Sequence, residues 1–229
     1  MAYFPLFMDL KNESCVVIGG GMVAYRKIKA LLEFEAKVTA VAPKFCDDIS
    51  DLAKTEDKLI YRLKKYELSD IKEAFLVIAA TDDFILNKKI AEDCRKKKIP
   101  VNVVDRKEEC SFIFPAYIKK GDITIGVTTS GKSPVISGKL KNSIEKIIPD
   151  FLPDLVAYLG NIREKVKASV TEEDIRKKVL FELAESGYLN KGKLKTRDLE
   201  KIMKEAKLNK AQDRGGSGEE NCKNRHKEK

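Results

Sequence analysis

Apolar positions along the first 105 residues alternate between two periods. Ser14 to Gly19 is short, apolar and ends in glycines, as a buried strand does. Met22 to Phe34 follows with helical spacing, and Val23, Ile28, Leu31 and Leu32 fall on one side of it. Lys37 to Ala42 reads as a second strand, stopped by Pro43, and Lys58 to Leu63 as a third, weaker one. Phe75 to Ala80 reads as a fourth, buried on both faces. Asp83 to Lys98 reads as a helix, and its final Arg95, Lys96, Lys97 and Lys98 suit the negative end of the helix dipole. Pro100 to Val104 is a fifth strand. Strands alternating with helices predict a parallel sheet with right-handed crossovers, an α/β Rossmann domain.

The pattern then changes. Ser111 to Pro115 and Asp122 to Thr128 read as two strands with no helix between them. Ser133-Pro134 supplies a good N-cap and a first helical residue, so a helix is expected from Pro134 to Ile148. From Phe151 to Leu208 everything reads as helix, with Thr171 opening a capping-box-like start and Gly187 a stop. Gly215 to Lys229 is charged and glycine-containing, so disorder is expected there. The expected organisation is a Rossmann domain over 1–112, a small α+β dimerisation and substrate segment over 113–149, a C-terminal helical region over 150–210 and a disordered tail over 211–229.

Hydrophobic residues make up 43% of the chain, enough for a core, and no apolar run approaches membrane-span length. No basic, apolar leader is visible in Met1 to Leu10, so a cytoplasmic location and no membrane partner are expected. The five cysteines form no CxxC pair, which fits reduced thiols rather than disulfides or a zinc site. His226 is the sole histidine, so no metal site or Ser-His-Asp triad built on histidine is expected in the folded body. The net charge of +9 could attract a polyanion, but aromatics are only 7% and no nucleic-acid motif accompanies it, so no nucleic-acid partner is expected.

The first strand runs into Gly19-Gly20-Gly21-Met22-Val23-Ala24, the GxGxxA form of the dinucleotide fingerprint. Gly19 allows the tight turn, Gly21 lets the backbone approach a pyrophosphate, and Ala24 lets the helix pack closely on the sheet. The free N–H groups of the helix start then face the phosphates. Without a ligand, the same glycines make a tight strand-helix turn. The acidic residue expected about 20 positions later to hold the ribose is missing. Val41, Ala42, Pro43 and Lys44 stand there instead, and Lys44 leaves NADP as an alternative to NAD.

Ligands of open α/β sheets sit outside the carboxyl ends of strands. Thr81 ends the fourth strand there, and Asn102 and Asp105 end the fifth. The apolar residues before Asp105 could partly desolvate its carboxylate and make it a better proton acceptor near neutral pH. The alternative is an Asp that only caps a turn before Arg106.

These stretches, in order, resemble the precorrin-2 dehydrogenase family of siroheme biosynthesis. The matching residues are Phe4-Pro5-Leu6-Phe7, Val17 to Ala24 with Arg26-Lys27, Ala79 to Asp83, Asn102 to Asp105, Ser111 to Pro115 and Thr129 to Val135. The resemblance implies oxidation of precorrin-2 to sirohydrochlorin with NAD, and in several members insertion of ferrous iron. It implies a homodimer. It places the essential aspartate on Asp105, and cofactor contacts on Met22, Val23, Pro43 and Lys44 beside Gly19, Gly20, Gly21, Ala24 and Thr81. Substrate contacts fall on Asn102 and on the loop residues Thr128, Thr129, Ser130 and Ser133. The implied substrate carries eight carboxylates, which Arg106, Lys132, Lys139 and Lys141 could attract unless they are ordinary solvated cations. No resident metal is implied, because the tetrapyrrole supplies its own nitrogens. A nucleotide-sensing regulatory module without catalysis is the competing reading, but it needs a fused DNA-binding or membrane element that the sequence does not display.

Overall fold

The computed structural model describes residues 3–194 and 197–205. The expected disordered tail, Cys222 and His226 lie outside them. The chain forms two compact units: one holds the residues through Pro115 together with Thr128–Pro134, the other Ala116–Val127 and the residues from Val135 onward.

The first unit is a five-stranded sheet. It is built from β1 (Ser14–Ile18), α1 (Met22–Glu33), β2 (Lys37–Ala42), α2 (Asp47–Thr55), β3 (Leu59–Leu63), β4 (Leu76–Ala79), α3 (Phe84–Lys97) and β5 (Val101–Val103). All pairs are parallel, in the order β3-β2-β1-β4-β5. The central strand shows why the apolar runs are continuous. Cys15 and Val17 face a cluster holding Ile28 and Leu31 of α1 and Ile49 of α2. Val16 and Ile18 face the opposite cluster, holding Ile90, Ala91 and Cys94 of α3. Both faces are covered, so alternation disappears. Burial pushes the Cys15 and Cys94 thiols up to about 12, and both are free.

Three sequence expectations change here. Helix α2 was not expected; it buries only Ile49 and carries acidic residues at its start, which hides its apolar stripe. Val23 is 42% exposed rather than core-facing, and Ala24 and Ala30 join Ile28 and Leu31 as the buried face of α1. Ser111–Pro115 forms no strand. Its apolar character serves packing, since Phe112 and Phe114 lie against the α1-side core. Its polar groups close the open edge of β5: the Val101 N–H donates to Ser111 Oγ at 2.7 Å, and the Ser111 N–H to Val101 O at 2.8 Å. An edge covered in this way is not a template for another strand.

In the second unit β6 (Ala116–Lys120) and β7 (Ile123–Val127) form an antiparallel hairpin, with Ile118 opposite Ile125. Helix α4 (Pro134–Ile147) begins at Pro134 as expected. Helices α5 (Leu152–Ser169) and α6 (Glu173–Leu189) bury Ile162 and Val166 against Ile175, Val179 and Leu183, and Leu199, Ile202 and Met203 of a further helical stretch (197–205) pack on them. Glu172, not Thr171, is the N-cap of α6, and no side chain caps it. Gly187 does not stop that helix either. A Cβ there would lie 2.5 Å from a Leu155 methyl, so this glycine serves close helix packing.

Candidate active site

A cleft of about 1290 Å³ opens beyond the carboxyl ends of β1, β2, β4 and β5. This is where the strand order reverses, and where such sheets bind ligands. Its walls are Gly19 to Val23, Val41 to Asp48, Ala80 to Asp83, and Val104 with Asp105, joined by Lys65, Tyr66 and others.

The three glycines differ in what requires them. Gly19 has φ +135°, and a Cβ there would lie 2.2 Å from Ala80 O. A Cβ on Gly20 would lie 1.9 Å from Lys44 O. The scaffold therefore forbids a side chain at both. Gly21 is extended, with φ −91° and ψ −176°, and its Cβ would meet nothing within 4 Å. Neither backbone strain nor crowding within the protein explains it. It is the N-cap of α1, whose first turn carries no acidic side chain, so the positive end of the helix stands open to the cleft. Met22 and Val23 line the cleft beside it, and Ala24 is fully buried against the sheet.

Beyond β2, Pro43 and Lys44 line the cleft and are exposed. Asp47 and Asp48, in the first turn of α2, line it too. They are carboxylates near the place where the fingerprint's acidic residue was missing. The Asp-Asp pair was visible in the sequence, but without α2 nothing aimed it at the site. Thr81 is held by a residue the sequence did not single out: Asn87 of α3, only 5% exposed. Asn87 Oδ1 lies 2.8 Å from the Thr81 hydroxyl, and its amide donates to Thr81 O at 2.9 Å. Asp83 caps α3 by accepting the Ile85 and Leu86 N–H groups.

Asp105 follows β5 in a left-handed turn, φ 58°, and reaches the cleft wall. It is exposed, contrary to the expected desolvation, because the turn carries it off the apolar strand. Cys110 pins this turn. Its Sγ accepts the Val103 N–H at 3.1 Å and lies 3.2 Å from the Val103 and Arg106 carbonyl oxygens, which flank Asp105. Burial pushes this thiol's pKa upward, so it keeps the proton it donates. Asn102 is 8% exposed, donates to Phe112 O at 3.0 Å, and does not line the cleft.

Thr128, Thr129, Ser130 and Ser133 do not line it either. Their hydroxyls organise their own loop: Thr128 Oγ1 accepts the Ser130 N–H and Thr129 Oγ1 the Ser133 N–H, each at 3.0 Å. Lys107, two residues after Asp105, donates to Ser130 O and ties the loop to the Asp105 turn. Of the candidate cations, Lys141 pairs with Glu145. Among the described residues no cluster of His, Cys, Asp or Glu could hold a metal ion, and no helix is long and apolar enough to cross a membrane.

Residues 6–116 match a family described as "Putative NAD(P)-binding". The siroheme synthase of Ruthia magnifica subsp. Calyptogena magnifica is 39% identical over 177 residues, 77% of this chain and 37% of that protein. That of Thioalkalivibrio sulfidiphilus is 40% identical over 185 residues, 81% of this chain and 38% of its own length. The chain thus spans well under half of the curated relatives it matches. A solved structure named SirC, precorrin-2 dehydrogenase, shares the fold. Its TM-score is 0.73 at 22% identity, over 90% of this chain and 100% of its own.

Proposed function

The chain belongs to the siroheme synthase family, and we propose that it oxidises precorrin-2 to sirohydrochlorin with NAD. Gly21 carries this reading. It is a glycine that the protein itself does not need, at an open helix start, beside a cleft large enough for a dinucleotide. Clearance for a pyrophosphate gives it a reason.

The residues present fit the cofactor. The backbone of Gly19 to Val23 would hold the pyrophosphate, Pro43 and Lys44 would border the adenosine half, and Thr81 the far wall. When bound, NAD supplies the acceptor for a hydride. The chain's own residues then have two tasks. The first is to fix the macrocycle at the ends of β4 and β5. The hydroxyl loop Thr128 to Ser133 serves this, registered to the Asp105 turn by Lys107, with Asn102 donating to the Cys110 sulfur that pins that turn. The second is to take the proton that the macrocycle loses along with its hydride. The Asp105 carboxylate has the reach and exposure for it.

The same carboxylate can accept pyrrole protons as ferrous iron, a substrate, enters the ring. A second copy of the chain would cover Val135, Leu140 and Ile147, which α4 leaves exposed, so the working form is a homodimer. The four free thiols among the described residues suit the reducing cytoplasm as its location. The test supplies purified protein with precorrin-2 and either NAD or NADP, and follows the reduced cofactor and sirohydrochlorin by absorbance. Ferrous ion is then added. Turnover faster with NAD than with NADP is expected. Absence of turnover with both would overturn the reading.

A further inference from the structure

Arg106 directly follows Asp105, and its guanidinium carbon lies 3.2 Å from the centroid of the Phe84 ring. Phe84 opens α3 just after the capping residue Asp83, and is 53% exposed. Stacking on an aromatic face fixes the plane of a guanidinium and directs its forked donors outward. The carboxylate contact Arg106 makes is single-point, Nη1 to Glu108 Oε1 at 3.2 Å, and the Glu108 side chain is 61% exposed. That uses one of five N–H donors. The neighbouring cation, Lys107, is committed to Ser130 O. The lysines of the adjoining cleft, Lys44 and Lys65, follow β2 and β3, whereas Asp82, Asp83 and Asp105 follow β4 and β5, so a polyanion arriving at that end meets repulsion unless a cation receives it.

We propose that Arg106 is the carboxylate receptor that orients the macrocycle against Asp105. Phe84 is its platform, and Glu108 is an internal placeholder that an acidic side chain of the substrate displaces. This rests on the precorrin-2 reading, and it assigns Arg106 a bidentate contact that lysine cannot copy. The placeholder role gives variants of opposite sign. Removing the fork or its platform weakens binding; removing the placeholder's charge strengthens it.

The experiment titrates the full chain with uroporphyrin, a porphyrin bearing eight carboxylates, by fluorescence, and measures steady-state kinetics with precorrin-2 and NAD. Arg106→Ala and Arg106→Lys should each raise the uroporphyrin Kd and the precorrin-2 KM by about tenfold or more, the range for a lost charge-assisted hydrogen bond. The KM for NAD should stay unchanged. Phe84→Leu should shift both constants the same way by less, and Glu108→Gln should lower the Kd. Equal melting temperatures would exclude a folding defect. A wild-type Kd in Arg106→Ala, weaker binding in Glu108→Gln, or no uroporphyrin binding by the wild type would overturn the proposal. Arg106-dependent binding in a protein that never reduces NAD would instead overturn the dehydrogenase reading and leave the receptor standing.

Discussion

Two turns frame the cleft, one after β1 and one after β5, and they are built by opposite means. The first, Gly19 to Gly21, is made of backbone. Its tight approaches are to Ala80 O and Lys44 O, and it offers a ligand N–H groups and empty space. The second carries Asp105 at φ 58° and is made by side chains: Cys110 grips Val103 and Arg106, Asn102 holds Phe112, and Lys107 holds Ser130. It offers a ligand functional groups. The contrast matches the two proposed tasks. A pyrophosphate needs donors and clearance, which backbone gives at little entropic cost. Proton transfer and carboxylate recognition need particular side chains in fixed places, which other side chains must hold.

The comparison breaks most visibly at Asp105. Asp105→Asn keeps the shape, and Asn tolerates the left-handed conformation as well as Asp does. Dehydrogenation should fall by about 10²- to 10⁴-fold while NAD affinity is unchanged. A rate near wild type would leave Asp105 as a turn residue. Next in size is Gly19→Ala, which should destabilise the fold by more than about 1–3 kcal/mol in urea unfolding. Strain at φ +135° is joined there by a Cβ 2.2 Å from Ala80 O. Smaller still is Cys110→Ala, which leaves the Val103 N–H on the β5 edge without its acceptor. A loss of about 1–3 kcal/mol is expected, and Cys110→Ser should restore most of it. Equal stability of the Ala and Ser variants would show that the second turn does not depend on its clasp.

The same contrast decides what the sequence revealed. The first turn was legible because its requirements fall on glycine, and the strands around it because both their faces are buried. Helix α2 escaped because its stripe is short, Ile49 with the partly buried Leu52 and Ala53, and stands among acidic residues. Ser111–Pro115 passed for a strand because Phe112 and Phe114 look the same whether they sit in a ladder or pack from the side. In the second turn the type and place of Asp105 were legible, but its exposure was not. Burial there depends on how far the turn leaves the sheet, which is set by contacts from residues five and more positions away. Asn87 and Asp47 were in plain sight as polar residues, and only the fold sets Asn87 behind Thr81 and brings Asp47 to the cleft.

If Gly21 is kept bare for a dinucleotide, calorimetric titration of wild type and Gly21→Asp with NAD will show it. Asp is among the best N-cap residues, and position 21 is an unstrained N-cap with open space around it. The variant should therefore fold as well as the wild type or slightly better. Its carboxylate would occupy the space meant for the pyrophosphate and repel it. Saturable NAD binding by the wild type and none by Gly21→Asp, at an equal or higher melting temperature, is the expected result. Undiminished NAD affinity in the folded variant would contradict it.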